Sequence, residues 1–314
     1  MIIYHILNTL KNKEDPAKLY PMKNRNPNHK TQFWILILFL LLFVIPSTSK
    51  SNETLTPYQY LIYRLSHDGF DSEFLNKLLM DARAELIPRL LTLSLVSKET
   101  KELYAQFLNP ESLQLSKKFL RENLTILRKA ENRFHVEKEI IVAILLVESR
   151  FGENIGKYRV IPTLATIALM DFPEHLQKNY LILTERNPGL SYEGIEGLAR
   201  KRAEWAYYQL KCFLNIIRHE KTDPLEIYGS HAGALGMAQF IPSSYLTYAQ
   251  NKEGLGNWLL DKEEAILSIG NYLNSHGWKR NLPIEKKRKV IWYYNHSEPY
   301  VETILQVAQK IKQK

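Results

Sequence analysis

The chain has 314 residues, of which 45% are hydrophobic and 24% are charged, so it is long enough for a sizeable hydrophobic core and its composition excludes a largely disordered protein. The formal net charge is +9, but residues 1–49 hold six Lys/Arg and two Asp/Glu, so residues 50–314 carry 9 − 4 = +5. This moderate charge comes with no nucleic-acid-binding motif, and we predict no nucleic acid partner.

The first organisational feature is an uninterrupted run of thirteen apolar residues at 33–45. Basic residues precede it and small residues follow it, which is the layout of a secretory signal peptide. The run is shorter than the ~20 residues of a membrane-spanning helix, so we expect cleavage after Ser49, with a retained anchor as the alternative. Because the stretch before the run is long for a signal peptide, residues 1–21 are interpreted as a start-site artefact, with Met22 rather than Met1 as the start.

Cysteine usage adds a second constraint, since Cys212 is the only cysteine. An intramolecular disulfide is excluded, and no cysteine follows the apolar run to carry a lipid. We therefore predict an exported protein that is not a lipoprotein and that meets a membrane only through an uncleaved N-terminal segment. Cys212 lies in a segment with helical spacing, where a buried, inert thiol is expected.

After residue 50, apolar residues recur every three or four positions, which predicts a mainly α protein with short turns. The predicted helices are 57–67 and 71–84, which form a hairpin around Asp68 and Gly69, then 112–133, 136–150 and 198–219, with three more beginning near Ser243, Asp261 and Lys286.

The centre of the chain, residues 171–197, lacks this regular spacing. It contains Pro173, Pro188 and several glycines, and these residue types punctuate regular structure. We therefore predict a loop-rich segment there. With no internal repeat and no second compositional block, the sequence divides into an N-terminal region, 1–49, and a single domain, 50–314.

Eight consecutive apolar residues, 140–147, lead directly into Glu148. Helical spacing places Ile144 and Leu145 on the same face as this carboxylate. A helix that is hydrophobic all round is buried, so Glu148 should be at least partly desolvated. Desolvation should raise its pKa, as a general acid near neutral pH requires. The alternative is an ordinary glutamate that is solvated or paired with Arg150.

Two later segments carry further candidate residues. Residues 228–245 combine small side chains with Ser230 and Gln239, which suits either close approach of a sugar or a tight helix-packing corner. Residues 292–300 cluster tyrosines with amide groups, which suits either a glycan cleft or a core with satisfied hydroxyls. His296 has no partner at metal-binding spacing, so it is not expected to bind a metal.

Taken together and in this order, these segments resemble the murein lytic transglycosylase B family. The similarity is strong over about 127–308 and weaker over 60–83. It implies a mainly α, lysozyme-like lytic transglycosylase catalytic core with a helical N-terminal extension. The matching motifs are residues 147–152, 156–157, 164–167, 202–204, 223–225, 230–242, 270–272 and 294–295.

The resemblance implies a mechanism with Glu148 as the single catalytic acid/base and with no cofactor. Glu148 would protonate the glycosidic oxygen between N-acetylmuramic acid (MurNAc) and N-acetylglucosamine (GlcNAc), then deprotonate the muramic 6-hydroxyl, which closes onto C1 as a 1,6-anhydro ring. The residues expected to contact the glycan are Ser230, Gln239, Tyr272, Tyr294, Asn295 and Tyr300, with Arg202 meeting a peptide stem or a lactyl carboxylate.

The same resemblance implies peptidoglycan strands as the substrate, cell-wall synthesis or division proteins as partners, and the periplasm of a Gram-negative-type bacterium as the location. The chain departs from the family in three places. Residues 251–258 lack the alternating Asp/Asn ligands of a calcium loop, so no metal site is predicted. The lipid-bearing cysteine of anchored members is absent, and the segment 176–198 is longer than usual.

Two other functions stay open. One is a non-catalytic peptidoglycan-binding protein that keeps the fold. The other is a hydrolytic lysozyme, which needs a second carboxylate beside the first. None of the motifs supplies an obvious one, and Glu204 is the nearest candidate within a motif.

Overall fold

The computed structural model describes residues 55–96, 99–218, 220–250 and 254–313. The predicted signal peptide, including the run at 33–45, lies outside the described residues, and so do residues 251–253 of the predicted calcium-free segment. No described helix is both long enough and apolar enough to cross a bilayer. The described chain is mostly helical, so the mainly α prediction is confirmed.

The helices share one core, with a short antiparallel pair of strands beside it. In chain order they are α1 (Pro57–His67), α2 (Ser72–Leu79), α3 (Pro88–Val96), α4 (Lys101–Ala105), α5 (Pro110–Glu122), α6 (Leu124–Phe134), α7 (Lys138–Ser149), α8 (Val160–Ala168), α9 (Pro173–Arg186), α10 (Tyr192–Ile217), α11 (Pro242–Tyr248), α12 (Leu255–Trp258), α13 (Lys262–Ser275), α14 (Ile284–Tyr294) and α15 (Glu298–Lys312), with strands β1 (Tyr158–Arg159) and β2 (Tyr228–Gly229).

Helix α7 is the central element of this core. Every residue from Glu139 to Ser149 is buried, because α5, α6, α13 and α15 pack around the helix. The helix ends where Arg150 and Phe151 adopt positive φ angles of 50° and 61°, followed by Gly152 at 94°. The predicted buried helix over 136–150 is therefore confirmed, with Glu148 in its last turn.

The N-terminal extension is the predicted helical hairpin of α1 and α2. Helix α1 starts with a capping box, in which the Thr56 side chain accepts from the Gln59 N–H and the Gln59 side chain accepts from the Thr56 N–H. Gly69, with φ 92°, forms the turn. Asp68 then joins the hairpin to α10 through Lys211 Nζ at 2.7 Å.

The prediction of a loop-rich segment over 171–197 is wrong. Helix α9 and the first turns of α10 occupy most of it. Pro173 lies in the first turn of α9, where a missing N–H is tolerated, and Pro188 follows the end of that helix. The prolines therefore mark the ends of helices, and α9 packs against α3 and α10.

The single helix expected over 112–133 is divided into α5 and α6. Asn123 separates them, and its side-chain amide donates a hydrogen bond to the Phe119 carbonyl at 2.9 Å, which competes with continuation of the helix. The helices expected near Ser243, Asp261 and Lys286 begin at Pro242, Lys262 and Ile284.

A close backbone contact joins the loop after α7 to the glycine-rich segment. Strands β1 and β2 pair antiparallel, with Tyr158 opposite Gly229. Gly156 has φ 101°, and a Cβ atom placed there would lie 2.0 Å from the Gly229 carbonyl oxygen. A glycine at 156 is therefore required for the segment that carries Ser230 and Gln239 to lie beside α7.

We predict that Gly156→Ala destabilises the fold by roughly 2–5 kcal/mol, because it combines a positive-φ penalty of about 1–2 kcal/mol with overpacking of about 1–3 kcal/mol. The matched control is Gly69→Ala, which has a similar φ of 92° but nothing within 4 Å of the added Cβ, so only the first penalty applies. Denaturant unfolding of both variants measures the difference. Equal losses would show that the contact with Gly229 is not restrictive.

Candidate active site

The carboxyl group of Glu148 lies in a desolvated position. The residue is 6% exposed, and its Oε2 atom is fully buried with no hydrogen-bond partner. The pKa of Glu148 is raised to about 7, because burial raises it more than the nearby Tyr300 hydroxyl lowers it, and the negative charge of Glu99 also raises it. A carboxyl group in this state holds a proton near neutral pH and can donate it.

Arg150 does not neutralise Glu148, although it is only two residues away. Its guanidinium instead binds Glu111 at 2.5 Å and Glu153 at 2.9 Å. The left-handed backbone conformation of Arg150 ends the helix at this point. The interpretation of Glu148 as a glutamate paired with Arg150 is therefore wrong.

A first pocket, of about 30 Å³, is lined by Glu148. Four of the predicted glycan-contacting residues line it together with Glu148, namely Gln239, Tyr272, Tyr294 and Asn295. The rings of Tyr272 and Tyr294 pack on each other in a T-shaped arrangement, with centroids 4.8 Å apart. The hydroxyl of Tyr294 donates to the Ala238 carbonyl at 2.6 Å and so ties α14 to the glycine-rich segment.

Glu148 also lines a second pocket, of about 290 Å³. Its volume is close to the lower end of the ~300–1,000 Å³ typical of ligand pockets. Ser230, Lys157, Tyr158 and His231 are in its wall. Glu148 and Gln239 line both pockets, so the carboxyl group lies where the two pockets adjoin.

Ser230 and Gln239 are held by backbone hydrogen bonds that leave defined atoms for a ligand. The Ser230 hydroxyl oxygen accepts from the N–H groups of Ala232 and Ala234 at 3.2 and 3.1 Å, so its proton is left to donate. The Gln239 amide nitrogen donates to the carbonyls of Ile155 and Gly236, so the amide oxygen is left to accept.

Ser149 fixes the position of Glu148 relative to this segment. Its hydroxyl donates to the Met237 carbonyl at 2.8 Å and accepts from the Gly152 N–H at 3.0 Å. One side chain next to Glu148 therefore joins the end of α7 to both neighbouring loops.

Two predicted site residues lie outside the pocket walls. Tyr300 is fully buried and interacts with Glu148: its hydroxyl lowers the pKa of Glu148. Burial raises the pKa of the Tyr300 hydroxyl well above 10, and the charge of Glu148 raises it further. Arg202 is 4% exposed, and burial lowers its pKa to about 10. Its charge helps to lower the pKa of His231 in the second pocket.

A second acidic residue near the site, Glu99, belongs to none of the sequence motifs. Glu99 lies between α3 and α4, accepts hydrogen bonds from the Asn295 amide at 3.3 and 3.4 Å, and raises the pKa of Glu148. Glu204, the motif-bound candidate, is instead exposed on α10 and interacts electrostatically with Asp171. No motif marks Glu99, because Asn295, its partner in the first pocket, is 196 positions away.

Comparison with known proteins identifies the family of the chain that forms this site. Residues 56–288 match the transglycosylase SLT domain family. The chain belongs to this family. The resemblance to murein lytic transglycosylase B is thereby confirmed.

Membrane-bound lytic murein transglycosylase B of Escherichia coli (strain K12) is 31% identical over 232 residues, which cover 70% of this chain and 56% of that protein. The chain thus spans little more than half the length of this curated relative.

Two solved structures share the fold. The Escherichia coli lytic transglycosylase SLT35 in complex with bulgecin A has a TM-score of 0.64 at 24% identity and covers 82% of this chain and 92% of its own. SltB3 from Pseudomonas aeruginosa in complex with NAG-anhNAM-pentapeptide has a TM-score of 0.63 at 20% identity, with 82% and 78% covered. The predicted lysozyme-like core with a helical N-terminal extension is confirmed.

We predict that Glu148→Gln stabilises the protein in alkaline solution. The folded state holds the Glu148 proton up to about pH 7, whereas an unfolded glutamate releases it near 4.5. Between these values the folded state binds more protons, so wild-type stability falls as the pH rises and stays reduced above pH 7. The variant lacks this loss and should be more stable at pH 8 by up to about 3 kcal/mol.

Denaturant unfolding at pH 4 and pH 8 measures this effect, since the two proteins should differ far less at pH 4. The exposed Glu185 supplies the matched control, because Glu185→Gln should give the same small difference at both pH values. Equal stabilities of wild type and Glu148→Gln at pH 8 would show that Glu148 is solvated in the folded protein.

Proposed function

We propose that this protein is a peptidoglycan lytic transglycosylase that cleaves the MurNAc–GlcNAc β-1,4 bond without water, with Glu148 as its single general acid/base. The observation that carries the proposal is a buried carboxyl group, with a pKa raised to about 7, that lines two pockets at once. A glycan strand must extend on both sides of the bond that is cut. The second pocket offers about 290 Å³ for it, whereas the first, of about 30 Å³, must widen to hold a sugar ring.

In the first step protonated Glu148 donates its proton to the glycosidic oxygen, and the bond between this oxygen and C1 of MurNAc breaks. In the second step the Glu148 carboxylate takes the proton of the muramic 6-hydroxyl, whose oxygen forms a new bond to C1. Glu148 is thereby protonated again, and the product is a 1,6-anhydro ring. An intramolecular nucleophile at high effective concentration needs no water-activating base.

The residues around Glu148 suit a polar ligand with apolar ring faces. Ser230 is left with a hydroxyl proton to donate and Gln239 with an amide oxygen to accept. The rings of Tyr272 and Tyr294 line the first pocket, where sugar faces can pack on them. We infer that Ser230, Gln239, Tyr272, Tyr294 and Asn295 contact the glycan.

Tyr300 and Arg202 stay predicted glycan or stem contacts, although neither lines the pockets. A sugar could contact Tyr300 only by passing Glu148. A peptide stem could contact Arg202 only through the second pocket, which His231 lines.

We further propose that the protein acts in the cell envelope, on the periplasmic side, after export by the segment at 33–45. Peptidoglycan is found there, and the curated relative is described as membrane-bound. Cleavage after Ser49 would release the protein, and retention of the segment would anchor it. Cell-wall synthesis or division proteins are the proposed partners.

The product decides between the candidate functions. Purified sacculi are digested with the protein lacking residues 1–49 and with its Glu148→Gln variant, and the soluble fragments are analysed by mass spectrometry. We expect anhydro-muropeptides from the first and a loss of at least about 100-fold in the second, because a general acid contributes about 10²- to 10⁴-fold. Glu185→Gln, an exposed glutamate on α9, should retain full activity.

Other products would favour another function. Reducing-end fragments that disappear in Glu148→Gln would mean hydrolysis by a lysozyme-type reaction. Binding to sacculi without release of fragments by the folded protein would mean a non-catalytic peptidoglycan-binding protein.

A further inference from the structure

We infer that Glu99 is a positioning residue for the reaction: it holds Asn295 and Tyr104, and through them the segment that packs against Glu148. This inference rests on the proposed function of Glu148 as the acid/base. It assigns a role to an acidic residue that belongs to none of the sequence motifs.

Glu99 contacts two side chains from different parts of the fold. Its two carboxylate oxygens accept from the Asn295 amide nitrogen at 3.3 and 3.4 Å. The Tyr104 hydroxyl of α4 also donates to it. Glu99 is only partly exposed and does not line the first pocket, whereas Asn295 does. Glu99 therefore reaches the cleft through Asn295.

These contacts fix both ends of the turn between α14 and α15. The Asn295 carbonyl accepts from the Ser297 N–H at 2.7 Å, and the Ser297 side chain caps α15 by accepting from the Tyr300 N–H. The ring of Tyr104 packs edge-on against that of Tyr300, with centroids 6.1 Å apart. Glu99 thus restrains Asn295 directly and Tyr300 through Tyr104.

Charge gives Glu99 a second effect on the same carboxyl group. The titratable groups that face Glu148 are Glu99 from the loop before α4, Tyr104 from α4, Tyr294 from α14 and Tyr300 from α15. Burial raises the pKa of all three tyrosines, which stay neutral near pH 7. Glu99 supplies the negative charge, and it raises the pKa of Glu148.

Two substitutions separate these effects. Glu99→Gln removes the charge but keeps an oxygen that can accept from Asn295, whereas Glu99→Ala removes both. We expect both variants to move the alkaline limb of the pH–rate profile to lower pH, by an amount on the order of one unit or less, because Glu148 loses its proton more easily. Only Glu99→Ala should lower kcat strongly, by about tenfold to a hundredfold, since small displacements of reacting groups are costly.

The assay is the release of anhydro-muropeptides from sacculi, with soluble muropeptides used for kcat and KM. Glu102→Gln, three residues further on and exposed, is the matched control and should keep the wild-type profile. Asn295→Ala completes a double-mutant cycle, in which Glu99→Ala should cause little further loss if it acts through Asn295. Thermal unfolding shows which variants fold. If Glu99→Ala does not fold, the pH–rate profile of Glu99→Gln tests the inference.

Several results would overturn the inference. Wild-type rates and profiles in both Glu99 variants would show that the contact has no role, and additive losses in the cycle would show that Glu99 does not act through Asn295. Reducing-end products lost in Glu99→Gln would make Glu99 a water-activating base instead. An inactive wild type would contradict the proposed function itself, and the result is distinct because it appears without any substitution at Glu99.

Discussion

Burial of one carboxyl group at the end of an apolar helix is the constraint on which the rest of the structure depends. Helix α7 is enclosed on all sides by α5, α6, α13 and α15, and Glu148 takes its protonation state from this enclosure. A desolvated carboxyl group reduces stability above its unfolded pKa, so the surrounding core must offset that loss. The same desolvation gives the protein an acid that still holds its proton near neutral pH.

Short backbone contacts bring the remaining groups of the cleft to that carboxyl group. Ser149 joins the end of α7 to Met237, and the contact of Gly156 with Gly229 sets how closely the glycine-rich segment approaches. Tyr294 then attaches α14 to the same segment. A Cβ atom at Gly229, Gly233 or Gly236 would lie within 2.7 Å of a neighbouring atom, which explains why small residues are concentrated in 228–245.

The sequence was sufficient for features whose cause is local. Eight apolar residues before Glu148 predict its burial, and helical spacing predicts α1, α7 and most of α10. Prediction failed at 171–197, because proline and glycine at the ends of helices look the same in sequence as those within a loop. It also failed at Glu99, since no local pattern indicates a hydrogen bond between residues 196 positions apart.

The arrangement around Glu148 favours one-carboxylate chemistry on physical grounds. A hydrolase of this type needs a second carboxylate with room for a water molecule beside the sugar. Glu99 is the acidic residue whose charge raises the pKa of Glu148, but its oxygens already accept hydrogen bonds from Asn295 and Tyr104. A carboxylate used in this way raises the pKa of the acid and orders its surroundings, and in the proposed reaction the substrate's own 6-hydroxyl would replace water as the nucleophile.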